Sequence, residues 1–206
     1  MRSIPEAGAL VLALPRGGVP VGFEVARALH AELDIFLVRK LGLPGQEELA
    51  VGAIASGGVL VLNEAIVKEL RLSRTLIDQI AAREERELRR REILYRGERP
   101  AVPVRGRTLI LTDDGLATGA SMKAAIQALR LQEPRRIVVA VPVAAKEACD
   151  EFSTIADEIV CTYTPAPFRA IGLWYEDFSQ TTDEEVQQFL RAAPYRAPAA
   201  GIASNR

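Results

Sequence analysis

Two adjacent carboxylates and a glycine-rich turn follow an apolar run in the middle of the chain. The run at 107–112 has the composition of a buried strand, Asp113 and Asp114 come at its end, and 115–121 leads into a predicted helix. Ionised carboxylates only accept hydrogen bonds, so an adjacent pair can hold the two neighbouring hydroxyls of a ribose, either directly or through a hydrated Mg²⁺. The spacing therefore indicates a ligand that carries a vicinal diol.

The turn after the carboxylates has the features of a phosphate site. Gly115 and Gly119 let the backbone approach a ligand closely. Thr118 and Ser121 add hydroxyls, and the N–H groups of residues 118–121 stand at the helix start, where a phosphate is stabilised. An ordinary turn with an aspartate helix cap is the alternative, but a cap needs only one aspartate. Together, the carboxylates and the turn indicate a phosphorylated ribose.

Two further loops place positive charge at strand ends. In Pro15-Arg16-Gly17-Gly18, two glycines between a strand and a helix form an anion nest, and Arg16 adds a fork of donors. Arg39 and Lys40 follow the next strand, and with Arg16 they would neutralise a pyrophosphate. A structural turn and a solvated strand end remain the alternatives. The glycine spacing does not match the dinucleotide or the P-loop nucleotide motif.

Composition limits the function classes. The chain has 206 residues, is 49% hydrophobic and has a formal net charge of −1, which is typical of a globular domain and does not favour nucleic acid as a partner. A single histidine, His30, excludes a histidine-cluster metal site formed by this chain alone. Two cysteines are too few for a disulfide scaffold, and we expect a reducing, cytoplasmic setting. No run reaches the ~20 apolar residues of a membrane helix, so no membrane association is expected. The early apolar residues are interpreted as a strand and not as an export signal.

Strand-like and helix-like segments alternate along the sequence. This order predicts a three-layer α/β/α fold with a mostly parallel sheet, in which ligands bind at the carboxyl ends of the strands. The predicted strands are 9–14, 34–38, 59–62, 107–112, 136–143 and 158–163. The predicted helices are 20–31, 120–132, 145–152 and 183–192, the last with Thr181 or Thr182 as its cap, and 42–58 is expected to be a loop.

The segment 73–99 departs from this alternation. It is dense in paired arginine and glutamate with a thin apolar stripe, which predicts a long, solvated helix that serves as a hood or as a dimer contact. Its balanced charge favours a solvated face over an RNA-binding one. We expect a single domain over 1–206, with a hood or insert at about 63–105 and a frayed tail at about 193–206. A homodimer is expected.

The residues at 109–121 closely resemble the 5-phosphoribosyl-1-diphosphate (PRPP) signature of the type I phosphoribosyltransferases. The loops 15–18 and 39–42 resemble the pyrophosphate-contacting loops of that family, and 42–53 and 174–178 are similar to a subgroup of stand-alone phosphoribosyltransferases. The resemblance extends over nearly the whole chain. It implies the type I fold with a small hood, and displacement of the pyrophosphate of PRPP by a nitrogen acceptor through an oxocarbenium-like transition state.

The resemblance also implies a role for each motif. Asp113 and Asp114 would bind the ribose hydroxyls, and Mg²⁺ would be held mainly by PRPP with a possible contribution from these two carboxylates. The 5-phosphate would be bound by Ala117, Thr118, Gly119, Ala120 and Ser121. Pyrophosphate would contact Arg16, Gly17, Gly18, Arg39 and Lys40. The residues expected to be catalytic are Asp113, Asp114 and Lys40.

The acceptor is expected to be a nucleobase. Trp174, Tyr175 and Phe178 follow the last predicted strand, where a base-stacking hood would lie, although core or interface roles suit them equally well. Some purine-salvage members carry an aspartate where this chain has Ala117. That vacancy leaves open a PRPP-binding regulator with little or no transferase activity, and an unrelated ribose-5-phosphate enzyme is a third possibility. Members of the subgroup usually have a helix before the first strand, where this sequence has residues 1–8.

Overall fold

The structure is a computed structural model that describes residues 8–195. Its strands are β1 (Leu10–Ala13), β2 (Glu32–Ile35), β3 (Val38–Leu43), β4 (Gln46–Ala55), β5 (Val59–Leu62), β6 (Thr108–Thr112), β7 (Arg136–Val143) and β8 (Glu158–Tyr163). Its α-helices are α1 (Gly18–Leu29), α2 (Glu64–Glu69), α3 (Arg74–Arg96), α4 (Ala120–Arg130), α5 (Lys146–Ile155) and α6 (Asp183–Ala192), and a short 3₁₀ turn spans Ile171–Trp174.

Five strands form a parallel sheet in the order β2-β1-β6-β7-β8. Val11 of β1 pairs with Leu33 of β2 on one side and with Ile110 of β6 on the other. These strands are apolar on both faces because helices cover both sides of the sheet. Met122 of α4 and Phe152 of α5 pack on one face, whereas α1, α3 and α6 contribute to the core on the other. The predicted α/β fold with a mostly parallel sheet is confirmed.

The prediction that 42–58 forms a loop is wrong. This segment forms most of an antiparallel sheet, β3-β4-β5, with a turn at Gly45, whose φ is +79°. Two of its glycines are places of close strand approach: a Cβ on Gly42 would lie 2.5 Å from the carbonyl oxygen of Glu47, and one on Gly52 would lie 2.3 Å from that of Val61. The predicted strand 34–38 is also divided, since β2 ends at Ile35 and β3 begins at Val38 in the second sheet.

The long charged helix is confirmed as α3. Ser73 caps it by accepting the N–H of Leu76, and its buried stripe includes Ile80 and Leu88. Pairs such as Arg89 with Glu85 lie on its exposed side. The helix packs against β3 and α6, so it connects the small sheet to the last helix. The predicted insert 63–105 therefore contains α2 and α3, while the small sheet precedes it.

Helix α6 begins and ends as predicted. Thr182 and Glu185 form a capping box, in which the Thr182 hydroxyl accepts the N–H of Glu185 and the Glu185 carboxylate accepts the N–H of Thr182. Most of the predicted frayed tail, 196–206, lies outside the described residues. Among the helices within 8–195, none has the length and apolar character needed to cross a membrane.

The two cysteines are paired in the structure. Cys149 of α5 and Cys161 of β8 are joined by a disulfide, because α5 packs directly on β8. One such cross-link is not a disulfide scaffold, but pairing of the two cysteines is a feature that their number and spacing did not predict. The reducing, cytoplasmic setting stays a prediction.

Candidate functional site

The two aspartates lie at the carboxyl end of the central strand β6. Thr112, the last residue of β6, is fully buried, and the chain then turns so that the N–H of Asp114 donates to Oδ1 of Asp113 over 2.9 Å. The N–H of Leu116 next donates to the carbonyl oxygen of Val143 at the end of β7. The carboxylates are therefore fixed between two strand ends, at the position where α/β sheets bind ligands.

Both carboxyl groups are in an environment that disfavours their charge. Burial, followed by the neighbouring charge of Asp114, raises the pKa of Asp113 to about 7. Burial also raises the pKa of Asp114. The charged form of such a carboxylate pair is stabilised by hydroxyl donors or by a cation.

The donor set is compatible with Mg²⁺. Within residues 8–195, no group of three or more acidic, histidine or cysteine side chains is placed to hold a metal ion. Mg²⁺ at this site would have at most two carboxylate ligands, and the remainder of its shell would come from water and ligand oxygens, which is the coordination it prefers beside phosphates.

The loop 15–18 packs directly on the aspartates. A Cβ on Gly17 would lie 2.1 Å from Oδ2 of Asp114, and one on Gly18 would lie 2.6 Å from the carbonyl oxygen of Thr112. Only glycine fits at these distances. The Pro15–Arg16 peptide is cis. The structure thus brings the predicted pyrophosphate loop against the predicted ribose-binding carboxylates.

A cavity of about 480 Å³ connects this loop to the segment after the last strand. The residues that line it include Arg16, Gly17 and Asp114 as well as Tyr175 and Phe178. The Tyr175 hydroxyl donates to the carbonyl oxygen of Asp114 over 2.6 Å, and the two rings lie 5.1 Å apart. Burial, followed by the charges of the two aspartates, raises the pKa of Tyr175 to about 12, so this hydroxyl stays protonated.

Trp174, the third predicted acceptor aromatic, packs elsewhere. Its ring contacts Tyr163 edge-on, with 5.0 Å between the ring centroids, and it is 40% exposed. Two of the three predicted aromatics therefore border the cavity beside Asp114.

The predicted phosphate loop is open to solvent. Gly119 caps α4 with φ +64°, and a Cβ there would lie 2.4 Å from the Phe152 ring. Ala117, Thr118 and Ser121 are exposed. The start of α4 is therefore accessible to an anion.

Arg39 and Lys40 point to opposite sides of the small sheet, as successive strand residues do. Arg39 faces α3, where its Nε lies 2.6 Å from Oε2 of the buried Glu84. Lys40 lines a second cavity of about 550 Å³, together with Ala120 and Lys123 of α4. Lys40 thus lies on the phosphate-loop side, while Arg16 borders the first cavity.

Two carboxylates that hold these arginines were missed by the sequence analysis. Glu84 binds Arg39, and Asp183 lies 3.5 Å from Nη1 of Arg16. Asp183 and Arg16 are 167 positions apart, so no local spacing signal relates them. Glu84 lies in a run of similar charged residues, and the sequence gives no sign that it alone is buried.

Known proteins are similar to this chain in sequence and in fold. Residues 2–164 match the family described as "Phosphoribosyl transferase domain". Two Mycobacterium tuberculosis proteins, from strains CDC 1551 and H37Rv and provisionally named phosphoribosyl transferases, are each 47% identical over 184 residues, which is 89% of this chain. The chain spans 42% of the length of these relatives.

A solved structure is similar over most of its length. The crystal structure of TT1426 from Thermus thermophilus is 46% identical, covers 89% of this chain and 86% of its own, and superposes with a TM-score of 0.79. The motif at the end of β6, the fold and these matches agree, and this chain belongs to the phosphoribosyl transferase domain family.

Proposed function

We propose that this chain is a Mg²⁺-dependent transferase that moves the 5-phosphoribosyl group of PRPP to a nitrogen acceptor, with a nucleobase as the leading candidate. One observation carries the proposal: Arg16, Gly17 and Asp114 line the same cavity beside β6 as the aromatic rings of Tyr175 and Phe178. A donor and a flat acceptor bound there would be held next to each other, which is the main requirement of a two-substrate displacement.

The groups at the strand ends support the first part of the proposal, the binding of the donor PRPP. The carboxylates of Asp113 and Asp114 would accept hydrogen bonds from the 2′ and 3′ hydroxyls of the ribose. The backbone N–H groups at 118–121 would bind the 5-phosphate, and Lys40 would add positive charge from the small sheet. Arg16 and the glycines of its loop would bind the pyrophosphate.

The segment after β8 supports the second part of the proposal, the binding of a nucleobase acceptor. A planar base would stack on Tyr175 or Phe178, since aromatic faces bind bases with little selectivity. The acceptor nitrogen forms a bond to C1 of the ribose and gives up its proton to water, and the C1–oxygen bond breaks so that pyrophosphate leaves with the electron pair. Mg²⁺, when bound, would neutralise the negative charge on the departing pyrophosphate. Arg16 would stabilise the same charge from the protein side.

A pyrophosphate-release screen tests the proposal. The protein is incubated with Mg²⁺ and PRPP, and each common purine and pyrimidine is added in turn. The expected result is base-dependent release with at least one base, lost in the Asp114→Asn variant and retained in Asp150→Asn, a matched change at an exposed residue of α5.

The same screen distinguishes a transferase from a PRPP-binding regulatory protein. Ala117 stands where some members have an aspartate near the base, so PRPP binding without release on any base would favour a PRPP-binding regulatory protein. Stronger binding of ribose 5-phosphate than of PRPP would contradict both functions.

A further inference from the structure

Arg16 is connected to helix α3 by a short chain of polar contacts. Its Nη1 lies 3.5 Å from Oδ1 of Asp183, and the same carboxylate oxygen accepts the hydroxyl of Tyr95 over 2.8 Å. Arg16 belongs to the loop 15–18, Asp183 begins α6, and Tyr95 is near the end of α3. The contacts thus join three parts of the chain that are distant in sequence.

The groups that fix the position of Asp183 are buried. Tyr95 is 4% exposed, and burial together with the charge of Asp183 raises its pKa to about 12, so its hydroxyl remains a donor. Val186 and Leu190 of α6 are buried against the core, and Phe189 packs on Phe23 of α1 with 5.1 Å between ring centroids. Asp183 therefore has little freedom to move away from Arg16.

The ligand side of Arg16 remains available. Its side chain is 30% exposed and borders the cavity that also contains Asp114. The contact with Asp183 uses Nη1, and a guanidinium has further N–H donors for a phosphate. Arg16 can be held by Asp183 and bind an anion at the same time.

We propose that Asp183 and Tyr95 are positioning residues for Arg16, which they hold towards the pyrophosphate of the bound donor. The inference rests on the proposed function, because it needs a pyrophosphate-bearing ligand in this cavity. A long side chain that is already ordered loses less conformational entropy on binding than a free one. The carboxylate of Asp183 also repels an anion, but its side chain is 37% exposed, so water screens this repulsion. We expect positioning to be the larger effect.

Tyr95→Phe isolates this effect, because it removes the hydroxyl, keeps the ring in the core and changes no charge. Calorimetry in Mg²⁺ compares three ligands: PRPP, pyrophosphate and ribose 5-phosphate. The variant is expected to bind PRPP and pyrophosphate about three- to tenfold more weakly and ribose 5-phosphate unchanged, since only the first two reach Arg16. Tyr195→Phe, the same substitution at a hydroxyl 3.4 Å from the Pro100 carbonyl oxygen, is the matched control and is expected to match the wild type.

A double-mutant cycle tests whether Tyr95 acts through Arg16. In an Arg16→Gln background, Tyr95→Phe is expected to cause no further loss of pyrophosphate affinity. Asp183→Asn is expected to weaken pyrophosphate binding as well.

The proposal is overturned by unchanged affinity in Tyr95→Phe, by an equal loss for ribose 5-phosphate, or by additive losses in the cycle. Tighter pyrophosphate binding in Asp183→Asn would overturn it too, because the carboxylate would then be a competitor of the ligand. If the wild type binds neither PRPP nor pyrophosphate, the proposed function itself fails.

Discussion

Asp113 is a carboxyl group placed where its charge is unfavourable until a ligand arrives. Burial and the adjacent Asp114 raise its pKa to about 7, while the unfolded chain has the ordinary value near 3.8. Ligand-binding sites often keep such groups at a cost in stability. The ligand-free protein should therefore become more stable when the charge is removed.

Asp113→Asn should stabilise the ligand-free protein at pH 8 but not at pH 4. The folded form binds this proton more tightly than the unfolded form, so the stability from Asp113 is complete below about pH 4 and is lost as pH rises to 7. The asparagine variant does not titrate. Its advantage in free energy of unfolding should reach roughly 1–3 kcal/mol at pH 8. Thermal unfolding without Mg²⁺ measures it, and a gain that is equal at both pH values would contradict the explanation.

Gly119 should be essential for phosphate binding for a reason beyond its backbone angle. Gly119→Ala combines a left-handed φ of +64° with a Cβ 2.4 Å from the Phe152 ring, so the loop must move. Gly106, at φ +70°, has no heavy atom within 4 Å of the same added carbon among the described residues. Gly106→Ala should cost about 1 kcal/mol of stability and leave PRPP affinity intact. Gly119→Ala should weaken PRPP binding at least tenfold in calorimetry. Equal affinities would show that the contact with Phe152 is unimportant.

At the level of elements, the parallel sheet was predictable and the small sheet was not. Runs such as 137–141 are apolar throughout, which indicates a strand covered on both faces. The hairpin of β3 and β4 contains glycines and exposed glutamates, which are typical of loops. Its packing on α3 and α4 involves residues distant in sequence, so no local pattern indicates it. The motif at 109–121 is a local sequence pattern, so it could be recognised without the structure. The contacts of Arg16 and Arg39 come from distant helices and could not be recognised in this way.

Glu84 contributes a buried carboxylate to the contact between α3 and the small sheet, where it pairs with Arg39 of β3. Burial alone would raise the pKa of Glu84, but hydrogen bonds from Arg39 and Arg83 lower it. Glu84→Gln should therefore destabilise the protein at pH 7 by about 1–3 kcal/mol, because Arg39 loses its charged partner. The difference should shrink as pH falls through the lowered pKa, when the wild-type carboxylate is itself neutralised.

Glu87→Gln is the matched control for Glu84 on the same helix. Glu87 binds Arg90 and Arg91 at the exposed side of α3, and exposed pairs contribute at most about 1 kcal/mol. Denaturant unfolding compares the two variants. A loss in Glu87→Gln as large as in Glu84→Gln would show that burial of the pair is not what matters.

At the level of the whole molecule, the motif after β6 lies between two cavities. One is bordered by Arg16 and two aromatic rings, and the other by Lys40 and Lys123. An extended ligand with charge at both ends matches this arrangement. The homodimer stays a prediction.

Calorimetry of Mg·PRPP binding to the wild type and to the Asp113→Asn/Asp114→Asn variant tests the central claim most directly. The two substitutions keep the shape of the side chains and remove the charge that would bind the ribose hydroxyls. Binding by the wild type and no detectable binding by the variant is the predicted result, provided that the variant unfolds at a temperature no lower than the wild type. Equal affinity of the two proteins for Mg·PRPP would contradict the assignment of the site.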